Sequence, residues 1–113
     1  MSAPPAPDRQ QKAGTDRRRE QRYEVNLKGD LGIDGEIHAV TIADLSGSGA
    51  LLVMQHPPEQ GVIGDLWIAG FGDLEIKVMF SGDGVCGAMF TRPSEHRDRL
   101  LKWLSQQLGK ALP

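Results

Sequence analysis

Residues 36–49 read Glu36-Ile37-His38-Ala39-Val40-Thr41-Ile42-Ala43-Asp44-Leu45-Ser46-Gly47-Ser48-Gly49. The first ten alternate, with Ile37, Ala39, Thr41 and Ala43 on one side and His38, Val40, Ile42 and Asp44 on the other. That is the period of a β-strand. The last residues, Ser46 to Gly49, break the pattern with turn chemistry, so a long strand delivers Asp44 into a Ser/Gly turn. Taken alone, Asp44 to Gly49 reads as a type I turn in which Asp and Ser side chains bond nearby N–H groups.

Working outward, the same two-residue period recurs on both sides. Tyr23, Val25 and Leu27 alternate with Glu24, Asn26 and Lys28, a half-buried strand. Gly29-Asp30 and Asp34-Gly35 carry turn chemistry around a short connection. Downstream, Ala50 to Met54 is a short buried strand, followed by a loop from His56 to Gly64 that contains Pro57-Pro58. Asp65–Ala69, Leu74–Phe80 and Val85–Phe90 follow as strands, divided by Gly70-Phe71-Gly72 and by Ser81-Gly82-Asp83-Gly84. Short, evenly spaced strands in a chain with 14 glycines predict an all-β fold, a six-stranded antiparallel barrel. The last segment changes period. Leu100, Leu101, Leu104 and Leu108, with Trp103 beside them, form a helical stripe. Pro93-Ser94 opens this helix and Gly109 ends it. Trp67, Trp103 and the leucines are expected in the core.

The chain has 113 residues with 39% hydrophobic content, enough for one core and too little for two. Residues 1–16 hold no large apolar side chain after Met1 and are expected to be a disordered arm. The domain is expected over 17–113, with its barrel at about 22–91 and its helix at about 94–108. Residues 1–22 carry six basic against three acidic side chains, and residues 23–113 carry seven against twelve. The positive charge is therefore local to the arm, where it attracts polyanions, while the body is acidic. The single Cys86 allows no internal disulfide, and scattered His38, His56 and His96 have no metal-ligand spacing. Met1 to Pro7 lacks the basic start and apolar stretch of a secretory signal. The longest apolar run, Ala50–Met54, falls far short of the roughly 20 residues that a spanning helix needs. A cytoplasmic protein without membrane insertion is expected. Ser46 and Ser48 lack the strand-to-helix setting of a hydrolase nucleophile, so the chain is not expected to be an enzyme and has no candidate catalytic residue.

Upstream of the first strand stands Arg17-Arg18-Arg19-Glu20-Gln21-Arg22, in which Arg18 and Arg22 form RxxxR, and Asp44, Ser46 and Gly49 form DxSxxG. Each motif alone is common, but their joint occurrence in this order, flanking a strand pair, resembles the PilZ domain, a small β-barrel receptor for cyclic di-GMP. The resemblance covers roughly residues 17–108. It implies that Arg18 and Arg22 from the N-terminal loop, and Asp44, Ser46 and Gly49 from the barrel surface, contact the ligand. The residue chemistry agrees. Arg stays charged, forks onto phosphate or the guanine O6/N7 edge, and stacks on bases. Asp44 can accept from the guanine N1–H and N2–H donors, Ser46 adds a hydroxyl, and Gly47 and Gly49 permit a tight turn and close backbone approach.

In the family, an Arg directly before RxxxR often accompanies an intercalated ligand dimer. Arg17 stands there, so two cyclic di-GMP molecules per domain are expected and no other cofactor. Arg19, within the same cluster, and Phe80, beside the Ser81–Gly84 turn, are further candidate contacts, although a core position is the commoner meaning of such a Phe. The expected function is a switch in which ligand orders the arm against the barrel and an effector protein reads the result, in motility, exopolysaccharide production or attachment. The alternative is a nucleotide-independent PilZ-like interaction module. Nucleic-acid polymers are disfavoured as partners by the acidic body and by only 5% aromatic residues, since single-strand binders combine basic grooves with stacking platforms. A monomer is expected.

Overall fold

The computed structural model describes residues 21–110 and Leu112. The arm 1–16 and Arg17, Arg18 and Arg19 lie outside the described residues. Six strands run in chain order: β1 Tyr23–Ile33, β2 Glu36–Leu45, β3 Gly49–Val53, β4 Ile63–Ile68, β5 Gly72–Gly82 and β6 Val85–Phe90, followed by the helix α1, Pro93–Leu108. All neighbours are antiparallel, and the order β1-β2-β3-β6-β5-β4 closes because β1 pairs with both β2 and β4. Closure leaves no unpaired sheet edge. The expected six-stranded antiparallel barrel with a C-terminal helix is the observed fold.

Local chemistry accounts for the connections. Ile33 pairs with Glu36 across Asp34-Gly35, and both turn residues have positive φ, 51° and 82°, as a two-residue type I′ hairpin requires. Gly29-Asp30 is not a turn. Both residues lie inside β1, where Gly29 faces Ile68 of β4 and a Cβ on it would approach the Trp67 carbonyl to 2.5 Å. The glycine there answers a close strand approach.

The core is filled from alternate positions: Leu31 of β1, Val40, Ile42 and Leu45 of β2, Leu52 of β3, Leu66 and Ile68 of β4, Leu74, Ile76 and Val78 of β5, and Phe90 of β6. Cys86 is buried among them, and desolvation raises its thiol pKa above the ordinary range, which keeps it protonated and unreactive.

Helix α1 closes one end of the barrel, where β2 passes into β3 and β4 into β5. Leu100 and Leu104 are fully buried in the core cluster, each burial stabilising by roughly 1.5–3 kcal/mol. Trp103 packs on Phe71 with centroids 5.4 Å apart, and the Arg99 guanidinium lies 4.2 Å over the same Phe71 ring. Glu75 of β5 fixes the helix start, accepting from the Thr91 hydroxyl at 2.6 Å and pairing with Arg92 at 3.8 Å. Pro93 is the first helical residue, and Gly109, with φ of 69°, ends the helix by donating its N–H to the Ser105 carbonyl. Trp67 departs from expectation: it is 43% exposed on the outer face, flanked across the sheet by Asp30 and Asp73.

Among the described residues no helix is long and apolar enough to cross a membrane. None of their His, Cys, Asp and Glu side chains form a group that could hold a metal ion.

Candidate functional site

Of the three register shifts in the barrel, the first falls in β1 between Glu24 and Leu27, and the other two, in β2 and β5, shape the wall around the site. Strict alternation along β2 would carry Asp44 inward with Val40 and Ile42. Between Ile42 and Asp44, however, β2 advances two residues while β3 advances one, from Leu52 to Leu51. The extra residue, Ala43, reverses the phase, so that Leu45 becomes the core residue and Asp44 is half-buried on the outside. β5 does the same. Val78 pairs with Ala88 and Phe80 with Gly87, so Met79 is the extra residue, and Met79 and Phe80 are 43% and 49% exposed. Phe80 is therefore an outer-wall residue and not a core one. Bulges that re-aim side chains are common beside binding sites.

The registers then join into one outward row across four strands: Asp44 opposite Leu51, Leu51 opposite Gly87, and Gly87 opposite Phe80. Directly paired residues share a face, and three strand spacings place Asp44 and Phe80 about 14 Å apart. The Phe80 ring covers Gly87 so closely that a Cβ there would run into it. On its far side, Asp44 stands opposite Glu24 of β1, and two like charges facing across a ladder disfavour each other.

The turn at the end of β2 is held by its own hydrogen bonds. The Ser46 hydroxyl is buried and accepts from the N–H of Ser48 at 3.2 Å and of Gly49 at 3.1 Å, while the Ser46 N–H donates to the Gly49 carbonyl at 2.9 Å. The Phe90 N–H donates to the Ser48 carbonyl at 2.8 Å, which ties the turn to β6. Gly49 opens β3 opposite Met89, and a Cβ on it would collide with the Ala88 carbonyl. The close approach that requires glycine here is to the neighbouring strand.

Beside this row lies a cleft of about 590 Å³ lined by Arg22, Ser46, Ser48, Gly49, Ala50, Met79, Phe80, Gly87, Ala88 and Met89. Its size suits a small organic ligand. Of the sequence-predicted residues, Arg22, Ser46, Gly49 and Phe80 meet in this cleft. Arg22 is exposed and, among the described residues, is the single charged one in the cleft's lining. Asp44 is not in the lining and stands beside it, at the end of the Leu51–Gly87–Phe80 row. Met79 and Met89, both more than 40% exposed, were missed. The available signal was Val78-Met79-Phe80, three consecutive apolar residues where a strand with one wet face should alternate. Arg97, also missed, reaches the turn from α1.

The described residues thus form a small closed barrel whose outer-wall cleft is lined by Arg22, hydroxyls, glycines and an exposed aromatic. The sequence profile of the PilZ domain matches residues 16–107, and the chain belongs to the PilZ domain family. No functionally curated protein matches it significantly. Among solved structures, an uncharacterised Legionella protein matches with a TM-score of 0.55 and 22% identity, over 79% of this chain and 95% of that one. MrkH, described as a c-di-GMP-dependent transcription regulatory factor, matches with a TM-score of 0.61 and 18% identity over 82% of this chain. The K. pneumonia MrkH–c-di-GMP complex matches with a TM-score of 0.58 and 16% identity over 80%. The chain spans about half of MrkH, 52% in both structures. At these identities the likeness is one of fold.

Proposed function

We propose that the chain is a cyclic di-GMP receptor and works as a binding switch, without catalysis. The observation that carries this reading is the meeting of Arg22 with the Ser46–Gly49 turn on one cleft in a PilZ-family barrel. The Arg22 guanidinium binds phosphate or the guanine O6/N7 edge, Arg17 and Arg18 add cations from the same arm, and Phe80 offers an exposed ring on which a base can stack. Asp44 accepts from guanine N1–H and N2–H, and donors arriving there relieve its confrontation with Glu24.

Gathering the arm costs conformational entropy, which the charge-assisted hydrogen bonds to the ligand offset. The gathered arm and filled cleft form a surface that differs in charge and shape from the empty one, and a cytoplasmic effector protein reads that difference. Motility, exopolysaccharide production and attachment are the outputs that fit such a receptor. With Arg17 directly before RxxxR, the ligand is an intercalated dimer.

Isothermal titration of the chain with cyclic di-GMP, with GTP and cyclic di-AMP as controls, tests the reading. Saturable binding of cyclic di-GMP alone is the expected result, with about two ligands per chain if Arg17 acts as proposed. Saturation at one ligand would remove the dimer. Failure of a folded sample to bind would replace the receptor with a nucleotide-independent interaction module.

A further inference from the structure

Arg97 lies in the second turn of α1, and its side chain reaches the turn that ends β2. A Cβ on Gly47 would meet Arg97 Nη1 at 2.6 Å, Cζ at 3.1 Å and Cγ at 3.2 Å. Gly47 does not have positive φ, so its backbone conformation does not call for glycine. What calls for it is the arginine lying against it. Gly47 is one of the positions that DxSxxG leaves open, and here it serves as the seat for a side chain from another element.

Ser46, Ser48 and Gly49, on either side of Gly47, line the cleft, whereas Gly47 and Arg97 do not. The turn is thus held from within by the Ser46 hydroxyl and covered from behind by Arg97. The other anchors of α1 lie elsewhere: Leu100 and Leu104 in the core, Trp103 and Arg99 on Phe71. We infer that Arg97 is a positioning residue for the ligand cleft and the link through which occupancy of the cleft is passed to the start of α1. The ligand part of this inference rests on the cyclic di-GMP reading. Because coupling between two sites is reciprocal, a ligand that prefers the turn with Arg97 seated must in turn hold the start of the helix in place.

The test uses the full chain as wild type, Arg97→Ala, Gly47→Ala and the double variant. Gly47→Ala must push the Arg97 side chain aside from its Cγ outward, while both positions lie outside the core cluster, so both single variants are expected to fold with Tm within about 5 °C of wild type. Without ligand, amide exchange at Ser48 and Gly49 should speed up about fivefold in either single variant. With cyclic di-GMP, titration should show a five- to tenfold loss of affinity in each. The double variant should lose no more than the worse single one, since both changes remove the same contact. Ligand should slow exchange over residues 95–99 in wild type and not in the variants.

Unchanged exchange at Ser48 and Gly49 would overturn the link whatever the ligand does. Affinities equal to wild type, or losses that multiply in the double variant, would overturn the positioning role. A turn that loosens as expected in a chain that binds no cyclic di-GMP would sink the receptor reading while leaving the helix-to-turn link in place.

Discussion

The two sides of the cleft are built differently. The Ser46–Gly49 side is complete before any ligand arrives: a buried hydroxyl accepts two backbone N–H groups, Gly49 lies against β6, and Arg97 covers the back. The Arg22 side is an exposed residue just before β1, with the remaining basic cluster upstream of it in sequence. One side supplies preorganised geometry and the other supplies charge. The division separates two requirements of a binding site, because a rigid turn costs nothing to order at binding whereas an exposed arginine side chain strengthens binding only by giving up freedom. Substitutions on the two sides should therefore fail in different ways.

The sharpest break is Gly49→Val. Its side chain must displace the Ala88 carbonyl and the neighbouring backbone of β6, at a cost of about 3 kcal/mol of stability, and urea denaturation should show this with binding lost as a consequence. Arg22→Ala is the counterpart. Stability should stay within about 0.5 kcal/mol of wild type. Affinity for cyclic di-GMP should fall on the order of 100-fold, equivalent to about 2.7 kcal/mol. If Arg22→Ala unfolded the barrel, the division between rigid and gathered sides would be wrong.

Ser46→Ala falls between them. It takes the acceptor from the Ser48 and Gly49 N–H groups in a half-buried turn, so denaturation should register a loss of about 1 kcal/mol, with affinity reduced in step. Asp44→Ala should have the smallest effect, and one of mixed sign. Removing the charge opposite Glu24 should raise stability by a few tenths of a kcal/mol, while calorimetry should record roughly tenfold weaker binding of the guanine ligand. An Asp44 variant that lost stability instead would show that the carboxylate supports the turn.

Much of this molecule was legible in its residues. Alternation located β2 to β6 to within about two positions and the start of β1, whose length it understated because Gly29-Asp30 looks like a turn; Asp34-Gly35 announced its hairpin, and the stripe from Leu100 to Leu108 announced the helix. The two motifs named the chemistry that one cleft could assemble, and Arg22, Ser46 and Gly49 do meet there. Phe80, Trp67 and the side taken by Asp44 were not legible by the same means. Alternation assumes one residue opposite one, and a bulge suspends that assumption without changing composition. Gly29 misled for a related reason: glycine that relieves a close strand approach looks the same in sequence as glycine that makes a turn.

By itself, then, the sequence determined the element types, the closed antiparallel arrangement they favour and the residue types available to a ligand, because hydrophobic period and backbone preference are local properties. Only the tertiary structure decided which side of the wall each residue occupies past Ala43 and Met79, and that Phe80 shares an outward row with Asp44. It alone brought Arg97 of the last element against Gly47 of a turn fifty residues earlier. Those outcomes depend on register and on contacts between segments distant along the chain, and no local pattern encodes where such segments meet.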